Sequence, residues 1–327
     1  AFLTASTTGD VRAQLNQLRG APNQNGTGSA DIAIDFQGLI KSGLVALASR
    51  ATRRIGFSTG DLREKASKLL LTEQVETSEF NHVIEKNLTL ARAAIAGSGT
   101  IPNAAGWERR DASLPLSASG EYLSAQRRAG RDVCAPRGYE FPITISADDE
   151  RFVEAVIEHQ PGPFAIINPG GGWPTKLWPT ERYAQLADWL WSECGLSSFV
   201  TFGPGEEALA RAVVSNARSS AVRPLASTLK QFVALARRAA LFVGGDTGPL
   251  HLAAAGGTPI VGLYGPTSPE RNGPFDPRDI TVGRDLWCRA DCHRRSCWHW
   301  ECMDIPMNDV QHAVFERLAN TKEERAD

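Results

Sequence analysis

Three times between residues 164 and 255 a short apolar run ends in glycine and gives way to a helical pattern, and a fourth run, Ile260–Tyr264, closes the series. Phe164–Asn168 is followed by Pro169-Gly-Gly-Gly172 and a helix from Pro179-Thr-Glu181 to about Trp191. Ser198–Phe202 meets Gly203-Pro-Gly205 and a helix from Glu206. Leu241–Val243 meets Gly244-Gly-Asp-Thr-Gly-Pro249 and a helix, Leu250–Ala255, stopped by Gly256-Gly257. Further helices are predicted over Asp149–His159 and from Ser227 to near Arg238. A chain that alternates in this way builds an α/β fold with a parallel sheet and right-handed crossovers. Such sheets bind ligands outside the carboxyl ends of their strands, where these glycine-rich turns fall.

Each turn carries its own chemistry. In the first, three glycines let backbone N–H groups approach a ligand and Lys176 adds a point charge; the plainer reading is a solvated lysine on a glycine turn. It is not a phosphate-binding Walker loop, which needs Gly-Lys-Ser/Thr at fixed spacing. In the second, Glu206 or Glu207 stands just past a strand end, where a carboxylate can accept from vicinal hydroxyls. The alternative is that both merely complement the helix macrodipole. In the third, Asp246 or Thr247 caps a helix whose free N–H groups form an anion site, with Pro249 and His251 in its first turn. Together the turns describe a pocket for a nucleoside diphosphate.

The earlier part of the chain is less regular. Asp31–Phe36 reads as a strand, Leu39–Leu47 as a helix, residues 61–96 as largely helical, and 97–142 as an irregular segment rich in Ser, Gly, Pro and Arg. At 327 residues the length suits two domains. With 35 Lys+Arg against 37 Asp+Glu the net charge of −2 gives no basic nucleic-acid surface. No apolar run approaches the roughly 20 residues needed to span a bilayer, and no signal-peptide core is present, which fits a cytoplasmic protein or a trimmed fragment. Six cysteines in a chain of this size are too sparse for a secreted disulfide scaffold.

At these same residues the chain resembles the ADP-heptose:lipopolysaccharide heptosyltransferases, glycosyltransferase family 9. The likeness rests on Lys176-Leu-Trp-Pro179, Gly203-Pro-Gly-Glu-Glu207, Gly245-Asp-Thr-Gly-Pro-Leu-His-Leu-Ala-Ala-Ala255 and Leu263-Tyr-Gly-Pro-Thr-Ser-Pro269. In the first half it rests on Asp31–Ser42 with its Gln-Gly-Leu-Ile-Lys-Ser block, Arg54–Phe57, Arg63-Glu64 and His82–Asn87. The resemblance implies a GT-B fold: an acceptor-side Rossmann-like domain over residues 1–145 and a donor-binding one over 146–327. It implies an inverting transfer of heptose from ADP-heptose to the Kdo-lipid A inner core at the cytoplasmic face of the inner membrane, with no metal or other cofactor required. Lys176, Glu207, Asp246, Thr247, Gly248, Leu250 and His251 would hold the donor, and Gln37, Lys41 and Arg63 the anionic acceptor. Alternatives are another ADP-sugar or acceptor, and a non-catalytic nucleotide-binding remnant.

The resemblance offers Asp10, in Ser6-Thr-Thr-Gly-Asp10, as general base. Spacing argues against it. Only Ala1-Phe-Leu3 precedes that turn as a strand. About twenty residues separate it from the Asp31 strand, whereas one βαβ unit takes roughly 30 or more. The expectation is therefore an acceptor domain truncated at its N-terminus, with residues 10–19 the helix before that strand. Near the other end Cys288, Cys292, Cys297 and Cys302 crowd into fifteen residues. They lack the Cys-x2-Cys knuckle common in zinc sites, so partly buried reduced thiols are expected there, with zinc the less favoured alternative.

Overall fold

The computed structural model describes residues 31–96 and 141–324, apart from 159, 161, 289–291, 293–295 and 299. Asp10, the segment around it and most of the irregular stretch lie outside the described residues. The chain divides into two compact units, Ala1–Leu114 and Pro115–Asp327. The division falls before the expected 145/146 boundary: Ile143 and Ile145 pack on the core of the second unit, and Arg237 donates to the Ile143 carbonyl at 3.0 Å.

In the first unit β1 (Ile32–Asp35), β2 (Arg53–Phe57) and β3 (Glu73–Val75) form a parallel sheet in that order. Helix α1 (Ile40–Ala48) follows β1, and α2 (Val83–Ala96) follows β3. The helical reading of residues 61–96 holds only for α2. Lys65–Leu70 is a 3-10 helix and Glu73–Val75 a strand, held beside β2 where Arg53 grips Glu73 through two hydrogen bonds of 2.7 and 2.8 Å. The core is small: Ile55, Phe57, Leu62, Leu90 and Ala94.

The second unit is a six-stranded parallel sheet ordered β6-β5-β4-β7-β8-β9. Its strands are β4 (Phe164–Asn168), β5 (Ser197–Phe202), β6 (Val222–Ala226), β7 (Leu241–Gly245), β8 (Ile260–Tyr264) and β9 (Ile280–Gly283). Helices α3 (Ala147–Ile157), α4 (Thr180–Cys194), α5 (Glu207–Asn216), α6 (Leu229–Ala236), α7 (Gly248–Ala255), the single turn α8 (Pro269–Asn272) and α9 (Met307–Glu324) complete it. Every residue of β4, β7 and β8 is buried, as a sheet covered on both faces requires. Side chains alternate between the faces. Ala165, Ile167, Leu241 and Val243 meet α4, α5 and α9, while Phe164, Ile166 and Phe242 meet α3, α6 and α7. The strand order turns back between β4 and β7, and such a switch point opens a crevice at the carboxyl ends of the two strands.

Local chemistry sets the helix starts. Ser146 caps α3, its hydroxyl accepting from Asp149 N, and Thr228, one residue later than expected, caps α6 by accepting from Gln231 N at 3.2 Å. The far end of the unit is fastened by a buried ion pair. Arg317 on α9 donates to Asp279 Oδ1 at 2.8 Å, and the same oxygen accepts from Ile260 N at 2.9 Å. Burial pushes the Asp279 carboxyl up to about 6, against the pull of Arg317. Among the described residues no helix is long and apolar enough to cross a membrane.

Candidate nucleotide site

The register places Asn168 beside Gly244 and Gly245 beside Leu263, so the loops leaving β4, β7 and β8 start level with one another. Glycine at the end of β7 is a steric requirement. A Cβ on Gly244 would lie 3.0 Å from the Asn168 carbonyl, and one on Gly245 3.3 Å from that of Lys176. Without those side chains, the loop after β4 crosses the end of β7. It turns through a 3-10 helix, Pro174–Lys176, that sets Lys176 over the switch point.

Lys176 Nζ donates to Asp246 Oδ2 at 2.7 Å and to the Asp246 carbonyl at 3.0 Å, and stands 4.8 Å from the centre of the Trp173 ring. Asp246 Oδ1 lies 3.2 Å from His251 Nε2. Burial alone would raise the Asp246 carboxyl; hydrogen bonds from His251 and Lys176 and the lysine charge outweigh it and hold the group well below the usual carboxylate range. Thr267, in the turn after β8, sits beside the same carboxylate but outside hydrogen-bond geometry. Asp246 thus stays charged and fixes the Lys176 and His251 side chains at one point.

That point is the head of α7. Thr247 is its N-cap by backbone geometry, yet its hydroxyl donates to the Gly245 carbonyl at 3.3 Å instead of capping the helix. Pro249 has no N–H, and the amides of Gly248, which is exposed, and Leu250, which is buried, have no protein acceptor among the described residues. An uncapped helix start with a lysine beside it attracts a phosphate through both the open N–H groups and the macrodipole. The half-exposed His251 completes the rim.

In the second turn the two glutamates take different positions. Glu207 opens α5, its carboxylate without a hydrogen bond among the described residues; the carboxylate that turns inward belongs to Glu206. Its Oε1 accepts from Gly171 N and its Oε2 from Gly203 N, both at 3.0 Å, tying the loops after β4 and β5 together. Gly170 makes room for it: a Cβ there would fall 2.3 Å from Glu206 Oε2. Asn168 reinforces the tie by donating to the Thr201 carbonyl at 3.0 Å. The three consecutive glycines were the sequence signal for this residue, since so bare a loop accommodates something that crosses it.

In the first unit, Gln37, Lys41 and Arg63 surround one turn. Asp35 Oδ1 accepts from Gln37 N at 2.9 Å and from Gly38 N at 3.1 Å, and Glu64 N donates to the Gly38 carbonyl at 3.0 Å, drawing Arg63 alongside. Lys41 and Arg63 are exposed there. The buried Asp35 Oδ2 and Gln37 Oε1 have no partner among the described residues. Cys288, Cys292, Cys297 and Cys302 line one pocket, and the Cys302 thiol is pushed up by burial and by the other three around it.

A family model, Glycosyltransferase family 9 (heptosyltransferase), matches residues 24–299. The chain belongs to glycosyltransferase family 9. Lipopolysaccharide heptosyltransferase 1 of Pseudomonas aeruginosa is 26% identical over 82% of this chain and 63% of that protein. Lipopolysaccharide heptosyltransferase 2 of Salmonella typhimurium is 36% identical over 31% of this chain and 30% of that protein. The chain therefore spans less than two thirds of the curated relatives' length. Among solved structures, E. coli ADP-heptose lps heptosyltransferase II matches with a TM-score of 0.62 and 21% identity, covering 96% of this chain and 82% of that one. E. coli heptosyltransferase WaaC with ADP matches with a TM-score of 0.56 and 20% identity, over 94% and 77%. These likenesses show the fold, which is α/β of the GT-B class as the family-9 resemblance implied.

Proposed function

We propose that this family-9 chain transfers heptose from ADP-heptose to the Kdo-lipid A inner core of lipopolysaccharide, with inversion at the anomeric carbon. The observation that carries the reading is the Lys176–Asp246–His251 constellation at the uncapped start of α7. The acceptor hydroxyl attacks the anomeric carbon, the bond from that carbon to the diphosphate oxygen breaks, and ADP departs. Negative charge grows on the leaving oxygen as it does so. Lys176 and the amides of Gly248 and Leu250 are placed to meet that charge, and preorganised donors of this kind are commonly the largest contribution to catalysis. The Lys176 charge and these N–H dipoles support a reaction that needs no metal or other cofactor.

Asp246 orients Lys176 and His251, and the Glu206 tie keeps the neighbouring loops in register for the nucleoside. Gln37, Lys41 and Arg63 suit the phosphates and carboxylates of the acceptor, which Arg and Lys bind by charge-assisted hydrogen bonds. In this reading the enzyme works at the cytoplasmic face of the inner membrane, touching it only peripherally. The hydroxyl proton passes to a general base; the resemblance offers Asp10 for that role, against the spacing of its segment.

The test is incubation of the purified chain with ADP-heptose and deacylated Kdo-lipid, following ADP release and the mass of the glycan. Stoichiometric heptose addition supports the proposal. ADP binding with no transfer reduces the chain to a nucleotide-binding protein, and transfer from another ADP-sugar alone replaces the donor.

A further inference from the structure

We propose that Trp173 is a positioning residue of the donor site: its ring seats the Lys176 ammonium for the diphosphate. The proposal rests on the nucleotide reading of the site and deepens it. Two tryptophans flank Lys176 in the sequence, and the fold uses them differently. Trp178 is a core residue: it is buried, stands edge-on to Tyr183 with ring centres 4.9 Å apart, and donates from Nε1 to the Ile305 carbonyl at 3.1 Å. Trp173 is partly buried and belongs to neither apolar core of the second unit. Core packing does not account for that aromatic, and Lys176 does.

The two residues are joined twice. Along the backbone, Lys176 N donates to the Trp173 carbonyl at 3.0 Å and closes the 3-10 turn, which Pro174 stiffens at its first position. Through space, Lys176 Nζ stands 4.8 Å from the ring centre, within the range over which an ammonium is attracted to an aromatic face. An ammonium has three N–H donors. Two of them meet Asp246, at Oδ2 and at the carbonyl, and among the described residues the third is left for a ligand. Lysine carries its charge on a flexible four-carbon stem, so a head group held by Asp246 alone could swing about that contact. The ring restrains it. It also covers a side of the ammonium that water would otherwise solvate, and the lysine side chain is only 14% exposed. A charge shielded from water attracts a phosphate more strongly. Trp173 thus acts through Lys176.

Calorimetric titration of the full chain with ADP tests the proposal. Trp173→Leu keeps an apolar side chain but no ring, and should weaken binding about 3- to 10-fold. Trp173→Phe should recover most of the lost affinity. On a Lys176→Ala background Trp173→Leu should weaken binding no further, because two residues that act through one contact lose it only once. The same cycle is read without nucleotide from urea midpoints, where Trp173→Leu should cost less when Lys176 is already alanine. If the wild-type chain binds no ADP, the nucleotide reading fails, and the urea cycle still decides whether ring and lysine are coupled. Equal losses on both backgrounds, Trp173→Phe no better than Trp173→Leu, or wild-type affinity in Trp173→Leu would each overturn the proposal.

Discussion

The two units share a parallel-sheet design but not a degree of closure. In the second, β4, β7 and β8 are buried along their whole length and both sheet faces are covered by helices. In the first, three short strands rest on a core of a few residues, while Ile32, Phe36, Ile40, Leu44 and Leu47 are exposed along β1 and one side of α1. The contrast teaches where binding precision resides. A site at strand ends is only as well positioned as the strands beneath it, so the rigid unit suits a small, highly charged ligand. The lightly packed one suits recognition spread over a larger surface.

The contrast is broken most forcefully from inside the second unit. Arg317→Met leaves the Asp279 carboxylate buried without its partner, at a cost of about 3–5 kcal/mol. Tryptophan fluorescence reads this unit, in which every tryptophan but Trp107 lies. Its urea transition should move to much lower denaturant while that of the first unit, followed by hydrogen exchange in α2, stays in place. Equal movement of both would make them one cooperative body.

At the site itself, Lys176→Ala removes a charged donor and leaves Asp246 short of one partner. Hydrogen bonds to charged groups contribute roughly 1.5–3 kcal/mol, so calorimetry should show ADP binding about 10- to 100-fold weaker. Unchanged affinity would remove the lysine from the pocket. The same pair has a pH signature. Asp246 has a lowered folded-state pKa, so its contribution is present above the unfolded value of about 3.9 and is lost as pH falls through the lower folded value. The stability gap between wild type and Asp246→Asn should hold from pH 7 to about pH 5 and close only in stronger acid. A gap that closes already near neutrality would contradict the ion pair.

Gly170→Ala is a smaller perturbation. Its Cβ displaces the Glu206 carboxylate and loosens the tie to Gly171 and Gly203, with a loss of about 1 kcal/mol and ADP binding weaker by several-fold. Leu44→Ser, on the exposed side of α1, should change stability by less than about 0.5 kcal/mol. A larger loss would mean that the apolar face of the first unit is covered in solution.

Much of this was legible in the sequence because glycine marks places where backbone must come close. The turns after β4, β5 and β7 each announced themselves, and β4 and β8 ran as continuous apolar stretches. What escaped notice lacked that signal. β3 is Glu-Gln-Val, and β6 carries Arg223 and Pro224 at the sheet edge, so both are strands only because a neighbour pairs with them. Glu206 and Glu207 are chemically alike and adjacent. The hole left by Gly170 on another strand's loop decides which one turns inward. Tertiary placement, not local pattern, made that choice.

Hydrogen–deuterium exchange of the whole chain with and without ADP tests the central claim most directly. Nucleotide should slow exchange at Gly248 and Leu250 and along residues 170–176, and leave the first unit unchanged. Protection confined to other segments, or none at saturating ADP, would show that the head of α7 holds no phosphate.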